Sequence, residues 1–188
     1  MNVNLYDFDG TIYDGDSTID FYLFCLNKQI TLLKYLPIQV LYTFFYFLKI
    51  VDKKKWKEKY FVFLKGIHDI EYKIESFWQI NQNKIKKWYI DKNHENDIII
   101  SASPEFLLLP ISKKLDVLKL IGTVVDPKTG IFLSENCRGE EKVKRLKNIF
   151  PSIKVEEAYT DTLSDEPIIK LASKGYMVKG NKIYNFYN

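Results

Sequence analysis

Residues 3–11 read VNLYDFDGT, a mostly apolar run that ends in a polar cluster. The run has the length and composition of a short buried strand. The cluster Asp7–Thr11 then supplies two carboxylates, a glycine and a hydroxyl. Asp and Gly favour turns, so such a cluster can simply end a strand. At the carboxyl end of a parallel strand, however, the same groups lie in the crevice where open α/β sheets bind ligands.

Two further polar clusters follow predicted strands in the same way. The isoleucine-rich run Asp97–Ile100 precedes Ser101–Glu105, and Val155–Tyr159 precedes Asp161–Asp165. Because parallel strands bring their carboxyl ends to one edge of a sheet, we expect all three clusters to converge there. Convergence of three clusters indicates a site more strongly than any one of them does.

The rest of the chain alternates between strand and helix patterns, which predicts an α/β fold. Strands are predicted at Ile121–Val125 and near Tyr176–Val178, helices over Gly139–Phe150 and, shorter, through Ala172, and a hairpin turn at Asp126–Gly130. In the second cluster, Ser103 is predicted to be the N-cap of a helix whose first residue is Pro104. The architecture expected is a Rossmann-like parallel sheet with helices on both faces.

A long helical pattern separates the first two predicted strands. It runs from Ser17 to about Asp91, which is too long for one crossover helix. We therefore predict an all-helical cap, residues 17–91, inserted after the first strand. The α/β core is then formed by residues 1–16 and 92–188.

The composition excludes several classes of protein. With 188 residues and 46% hydrophobic residues, the chain is long and apolar enough for a packed domain and is not disordered. A net charge of +4 does not indicate nucleic acid, although it suits an anionic substrate or membrane surface. Two cysteines, Cys25 and Cys137, make no disulfide framework, and the N-terminus lacks a signal-peptide pattern, so a cytoplasmic location is expected.

The first cluster has the groups that phosphoryl transfer requires. Asp7 can act as the nucleophile, and Asp9 as the general acid and then the general base. Gly10 allows close backbone approach, and Thr11 offers a hydroxyl to the phosphate. Carboxylates around a phosphate favour Mg²⁺, because this hard cation prefers oxygen ligands.

Four segments resemble, in the same order, the four motifs of the haloacid dehalogenase (HAD) superfamily. DFDGT resembles motif I, Ile98–Ser101 motif II, Lys142 in CRGEEKVKRL motif III, and Tyr159–Asp165 motif IV. One position departs from the pattern, since Thr160 stands where many members have glycine. The helical insert is similar to the cap of the phosphoserine-phosphatase-like branch, HAD subfamily IB.

The resemblance implies a Mg²⁺-dependent phosphatase that acts through an aspartyl-phosphate. It implies three overlapping sets of residues. The catalytic residues are Asp7, Asp9 and Lys142; the phosphate-binding residues are Gly10, Thr11, Ser101, Ala102 and Lys142; the metal ligands are Asp7, the backbone carbonyl of Asp9, and Asp161, with Asp165 as a ligand or a support.

Some of these residues have simpler explanations. Lys142 belongs to a basic run with Arg145, and such runs are usually solvated helix faces. Ser101 can be an ordinary loop serine. Arg138 is a weaker candidate for substrate contact, and Tyr13–Asp16 for a mobile flap.

Several functions agree with the pattern. A small organic phosphomonoester such as phosphoserine is the leading substrate class. A lipid phosphate of the phosphatidylglycerophosphate type is the second, because the insert is apolar and basic residues follow its apolar part. A phosphate-binding protein without turnover and a phosphomutase are further alternatives. The intact acidic residues and Lys142 disfavour the first of these two.

Ile30–Ile50, ITLLKYLPIQVLYTFFYFLKI, is the most apolar part of the insert. Lys34 and Lys49 interrupt it and Pro37 bends it, which disfavours a membrane span. A span would also separate Asp7 from the other two clusters. The segment is therefore expected to be a dimer contact, an in-plane helix at an anionic membrane surface or, preferentially, the packed core of the cap.

Overall fold

A six-stranded sheet organises the protein, whose computed structural model describes residues 1–187. Its strands are β1 (Asn2–Tyr6), β2 (Asp97–Pro104), β3 (Lys119–Thr123), β4 (Lys154–Thr160), β5 (Ala172–Lys179) and β6 (Lys182–Asn185). Their order is β3-β2-β1-β4-β5-β6, and all neighbours are parallel except β5 and β6. The strand that carries the first polar cluster therefore lies between the two strands that carry the others.

Helices cover both faces of this sheet. Within the described residues they are α1 (Ser17–Lys28), α2 (Leu36–Phe47), α3 (Lys53–Tyr60), α4 (Ile70–Asn81), α5 (Lys87–Ile90), α6 (Glu105–Lys114), α7 (Glu140–Ile149) and α8 (Glu166–Ile169). Successive strand residues face opposite sides, so Ile98 shares a core cluster with Leu146 of α7, and Ile99 shares the other with Leu107 of α6. The predicted α/β architecture is confirmed.

The segment between β1 and β2 is helical. It contains α1 to α5, joined by 3₁₀ turns at Ile30–Tyr35, Phe61–Gly66 and Gln82–Lys84. Asp16 caps α1, because its carboxylate accepts the backbone N–H groups of Thr18 and Ile19. The indole N–H of Trp78 in α4 donates to the carbonyl of Leu107 at 2.6 Å, which ties the segment to α6.

The apolar run inside this segment is mostly exposed. Of residues 30–47, only Leu32 and Gln39 are buried. The amide of Gln39 accepts the hydroxyl of Tyr22 at 2.7 Å and donates to the carbonyl of Tyr60 at 2.8 Å. α2 thus turns Gln39 inward, while five of its large apolar side chains are exposed, namely Leu36, Val40, Leu41, Phe44 and Phe47. The expectation that this run forms the packed core of the insert is therefore wrong.

Two local predictions near strand ends also need correction. β2 continues to Pro104, which takes the N-cap position of α6 without a side-chain cap. Ser103 is therefore not the N-cap, and its hydroxyl donates to the carboxylate of Asp9 instead. The predicted hairpin after β3 is reduced to a single bridge between Val125 and Phe132.

The carboxyl-terminal part differs from the prediction as well. The predicted helix through Ala172 ends at Ile169, and Ala172 begins β5. An antiparallel strand, β6, follows a tight turn in which Gly180 has a φ of 57°. Gly180-Asn181 is a typical two-residue hairpin signal, so this strand was readable in the sequence.

Candidate active site

The ends of three strands place the polar clusters in one cavity. Asp7 follows β1, Ser101 and Ser103 lie near the end of β2, and Asp161 follows β4. All four line a cavity of about 410 Å³. The three clusters therefore meet, as the strand pattern predicts.

A buried lysine joins two of these clusters. Nζ of Lys142, in the first turn of α7, donates to Asp7 Oδ1 at 2.7 Å and to Asp165 Oδ2 at 2.5 Å. Lys142 is only 1% exposed, whereas the side chain of Lys144 on the same helix is 67% exposed. Lys142 therefore does not belong to a solvated helix face.

Burial and neighbouring charges together set the pKa values of Lys142 and Asp7. Burial by itself lowers the pKa of Lys142, but Asp7 and Asp165 outweigh it and hold that pKa above its ordinary value. Burial raises the pKa of Asp7; the charge of Lys142 opposes this rise, and the charge of Asp165 adds to it. The lysine is therefore the charged centre of a site in which negative charge is crowded.

Asp9 is held by donors from two different elements. Its Oδ1 accepts the backbone N–H of Ser17, the first residue of α1, at 2.7 Å, and its Oδ2 accepts the hydroxyl of Ser103. Burial raises the pKa of Asp9 to about 6; repulsion by Asp16 adds to the rise, and the hydrogen bonds from Ser103 and Ser17 oppose it. A carboxyl with this pKa can both give and take a proton near neutral pH.

The residues predicted to bind phosphate divide into two sets. Ser101, Ala102 and Lys142 line the cavity, whereas Gly10 and Thr11 do not. The N–H of Gly10 donates to the carbonyl of Gly15, and its carbonyl accepts Nζ of Lys86. Thr11 is fully buried. The contacts of Gly10 thus favour a structural role, whereas the hydroxyl of Thr11 has no hydrogen-bond partner within the described residues.

The backbone geometry at position 10 requires a glycine. Its φ is 72°, and a Cβ at this position would overlap the carboxylate of Asp161. A glycine therefore lets the loop after β1 approach the loop after β4.

The donor set at the strand ends fits a hard divalent cation. Burial raises the pKa of Asp161, and Asp165 repels its charge. Within residues 1–187, no three His, Cys, Asp or Glu side chains are grouped to hold a metal by themselves. The expected ligands, Asp7, Asp161 and a backbone carbonyl, include only two side chains, and Mg²⁺ commonly keeps several waters.

Other cavity residues were not predicted as site residues. α3 contributes four of them, namely Lys53, Trp56, Lys57 and Tyr60. Their sequence signal is the basic, aromatic run VDKKKWKEKYF, which is typical of a surface and does not reveal that one helix face covers a cavity. Arg138, the weaker candidate, also lines the cavity, and its Nε donates to Ser164 Oγ at 3.1 Å.

Fold and site together define an α/β protein with a carboxylate–lysine centre and a helical insert beside it. A model of the haloacid dehalogenase-like hydrolase family matches residues 5–170, and the chain belongs to this family.

One curated relative matches part of the chain. Protein CicA of Caulobacter vibrioides is 35% identical over 88 residues, a match that covers 43% of this chain and 40% of CicA. The match thus spans less than half the length of that curated relative.

Solved structures share the fold. A protein of unknown function from Bordetella pertussis Tohama I has a TM-score of 0.74 and 16% identity, with 93% of this chain and 88% of that chain covered. A probable phosphoserine phosphatase from Vibrio cholerae has a TM-score of 0.66 and 14% identity, with 93% of this chain and 55% of that one covered.

Proposed function

We propose that the protein is a Mg²⁺-dependent phosphomonoester hydrolase that forms an aspartyl-phosphate on Asp7. The observation that carries the proposal is the buried pairing of Lys142 with Asp7 at the end of β1. A cation in contact with a nucleophilic carboxylate offsets the repulsion between that carboxylate and an anionic phosphoryl group. Membership of a hydrolase family supports the same conclusion.

In the first step, an oxygen of Asp7 attacks phosphorus and the ester P–O bond breaks. Asp9 gives its proton to the leaving oxygen, which departs as an alcohol. Ser101 Oγ accepts the N–H of Ser103 at 3.1 Å, so its own hydrogen is free to bind a phosphoryl oxygen. Lys142 offsets the charge that gathers on the phosphoryl group.

In the second step, Asp9 takes a proton from a water molecule as that water attacks the aspartyl-phosphate. Inorganic phosphate leaves and Asp7 is restored. Mg²⁺ held by Asp7, Asp161 and the carbonyl of Asp9 would supply further charge neutralisation at the phosphoryl oxygens. Asp165 is better suited to hold Lys142 than to bind metal, because its oxygens accept Lys142 and the N–H of Gly139.

We further assign residues 17–91 to a cap and residues 1–16 and 92–188 to the core. The contribution of α3 to the cavity lining supports this division. A cap that closes over the cavity would exclude water during the first step. A small organic phosphate in the cytoplasm is the primary substrate class, with phosphoserine as a candidate by likeness of fold.

Removal of the metal tests the proposal directly. Phosphate release from p-nitrophenyl phosphate should fall about a hundredfold or more when Mg²⁺ is replaced by EDTA, because the carboxylates then repel the substrate. Activity should return when Mg²⁺ is restored. A protein that releases no phosphate from any phosphomonoester in saturating Mg²⁺ would instead be a phosphate-binding protein.

The exposed face of α2 favours a second candidate, a lipid-phosphate phosphatase that works at an anionic membrane surface. Ile30–Phe47 is apolar and long enough to be considered as a span, yet only 11% of it is buried. Phe44 and Phe47 are 57% and 77% exposed. Residues 21–51 contain three lysines and no acidic residue, which suits an in-plane helix on anionic lipid.

A vesicle assay tests this candidate. Wild type should co-sediment with vesicles that contain phosphatidylglycerol, and Phe44→Asp combined with Phe47→Asp should reduce the bound fraction about tenfold or more, because it puts charge at the apolar contact. Turnover of p-nitrophenyl phosphate should stay within about twofold, since neither residue lines the cavity.

The matched control is Tyr72→Asp on α4, because Tyr72 is also a large exposed residue, at 67%. The control should bind vesicles like wild type. The lipid candidate fails if wild type does not bind vesicles. If light scattering then shows that wild type is a dimer and the double variant a monomer, α2 is a self-association face.

A further inference from the structure

Three cations face the cavity without a carboxylate partner. Lys53 and Lys57 of α3 and Arg138 before α7 all line it. In the described part of the chain, none of the three forms an ion pair within 4 Å. Lys57 donates to the side-chain oxygen of Asn136 at 2.8 Å and approaches the carbonyl of Ala102 at 3.4 Å, and both acceptors are neutral.

These cations lie close enough to repel one another. Burial, aided by the charges of Lys53 and Arg138 and opposed by those of Asp16 and Asp9, lowers the pKa of Lys57 to about 8. Burial and Arg138 also lower the pKa of Lys53. A cluster of like charges beside a cavity is unfavourable in the empty protein and becomes favourable when an anion enters.

Four of the five carboxylates that line the cavity already have a place in the proposed mechanism. Asp7, Asp9, Asp161 and Asp165 belong to the catalytic centre described above. The fifth acidic residue, Asp16, accepts the N–H groups of Thr18 and Ile19 as the cap of α1. Both of these bonds end on Oδ1 of Asp16, so its Oδ2 can still accept a donor from a substrate.

These cations flank the phosphoryl-binding edge, since Nζ of Lys57 lies 3.4 Å from the carbonyl of Ala102, next to Ser101. Lys142 and Ser101 come from α7 and β2 of the sheet side, whereas Lys53 and Lys57 come from the helical segment. Trp56 and Tyr60, also from α3, line the cavity beside them. A leaving group that extends towards α3 meets positive charge and aromatic rings.

We infer that Lys53, Lys57 and Arg138 form a subsite for a second anionic group carried by the leaving group of the phosphomonoester. The inference rests on the proposed function of the same cavity and specifies its substrate class. The second anion is a carboxylate, as on a phosphorylated hydroxy acid, or a phosphodiester, as on a lipid headgroup.

Binding of two non-hydrolysable phosphonates tests the inference without any need for turnover. 3-Phosphonopropionate has a carboxylate where propylphosphonate has a methyl group. With Mg²⁺ present, calorimetry on wild type should give about tenfold tighter binding of 3-phosphonopropionate, the usual effect of a charge-assisted contact. Lys53→Ala combined with Lys57→Ala should weaken 3-phosphonopropionate far more than propylphosphonate.

The matched control is Lys55→Ala, which removes an exposed lysine of α3 that does not line the cavity. The control should keep the wild-type preference. Equal affinity of wild type for both phosphonates overturns the inference. An equal loss of affinity for both phosphonates in the double variant also overturns it, because the two lysines would then bind the phosphoryl group itself. The proposed function fails separately, through absence of phosphate release.

A kinetic comparison identifies the source of the second anion. The fall in kcat/KM caused by the double variant is measured for phosphoglycolate, short-chain phosphatidylglycerophosphate and p-nitrophenyl phosphate. A larger fall for phosphoglycolate assigns the subsite to a soluble acid, and a larger fall for the lipid assigns it to a headgroup. Equal falls for all three contradict the subsite.

Discussion

Asp7→Asn should abolish phosphate release from p-nitrophenyl phosphate at saturating Mg²⁺, with a loss of at least about a thousandfold in kcat. The amide keeps the size of the side chain and its place beside Lys142, but it cannot attack phosphorus. Full turnover in the variant would exclude Asp7 as the nucleophile. The measurement is a phosphate-release assay on protein purified without contaminating phosphatases.

The same variant should remain folded. Burial raises the pKa of Asp7, so the charged carboxylate is disfavoured in the native site, and Asn removes that unfavourable charge. Lys142 keeps Asp165 as its partner. The thermal midpoint of the variant in EDTA should therefore be no lower than that of wild type. A large drop would mean that lost activity reports unfolding and not lost chemistry.

Lys142→Met should lower the free energy of unfolding by about 3–5 kcal/mol near pH 8 without metal, because it leaves two buried carboxylates without their cation. Equilibrium unfolding in guanidinium chloride measures this change in the free energy of unfolding. Lys144→Met is the matched control. The side chain of Lys144 is 67% exposed and its ion pair with Glu141, at 3.6 Å, is weak, so the change in the free energy of unfolding should be within about 0.5 kcal/mol.

The loss of folding stability in Lys142→Met should depend on pH and on the presence of Mg²⁺. Burial raises the pKa of Asp7 in the folded state, and removal of Lys142 raises it further, so Asp7 takes up a proton as the pH falls. The destabilisation should therefore be smaller at about pH 5 than at about pH 8. Mg²⁺ should restore part of the stability. If Lys142→Met and Lys144→Met unfold alike, Lys142 does not carry the charge balance of the site.

The strand-end clusters were predictable because their signal is local. An apolar strand followed by acidic residues fixes both the element and the edge of the sheet, so Asp7, Ser101 and Asp161 could be expected together. The prediction of Lys142 depended on the order of the motifs, because the basic run around it contains other lysines. Only packing decides which lysine of that run is buried.

Other parts of the site depend on tertiary contacts that periodicity does not encode. The run containing Lys53 and Lys57 has the composition of a surface, and its place over the cavity follows from how the insert folds back. Ser103 has the sequence context of an N-cap, but the nearby carboxylate of Asp9 takes its hydroxyl. The outward apolar face of α2 follows from the two hydrogen bonds of Gln39, a long-range effect.

The hydrogen bond between Asp9 and the first residue of α1 links this carboxylate to the helical segment. Asp9 lies in the loop after β1, whereas the N–H of Ser17 that it accepts belongs to the start of the helical segment. Rotation of that segment about residues 10–16 would withdraw a donor that favours the ionised carboxylate. Opening would also reduce the burial that raises the pKa of Asp9, so these two effects on its proton affinity oppose each other. The position of the Asp9 carboxylate is thereby tied to the joint between the two parts of the chain.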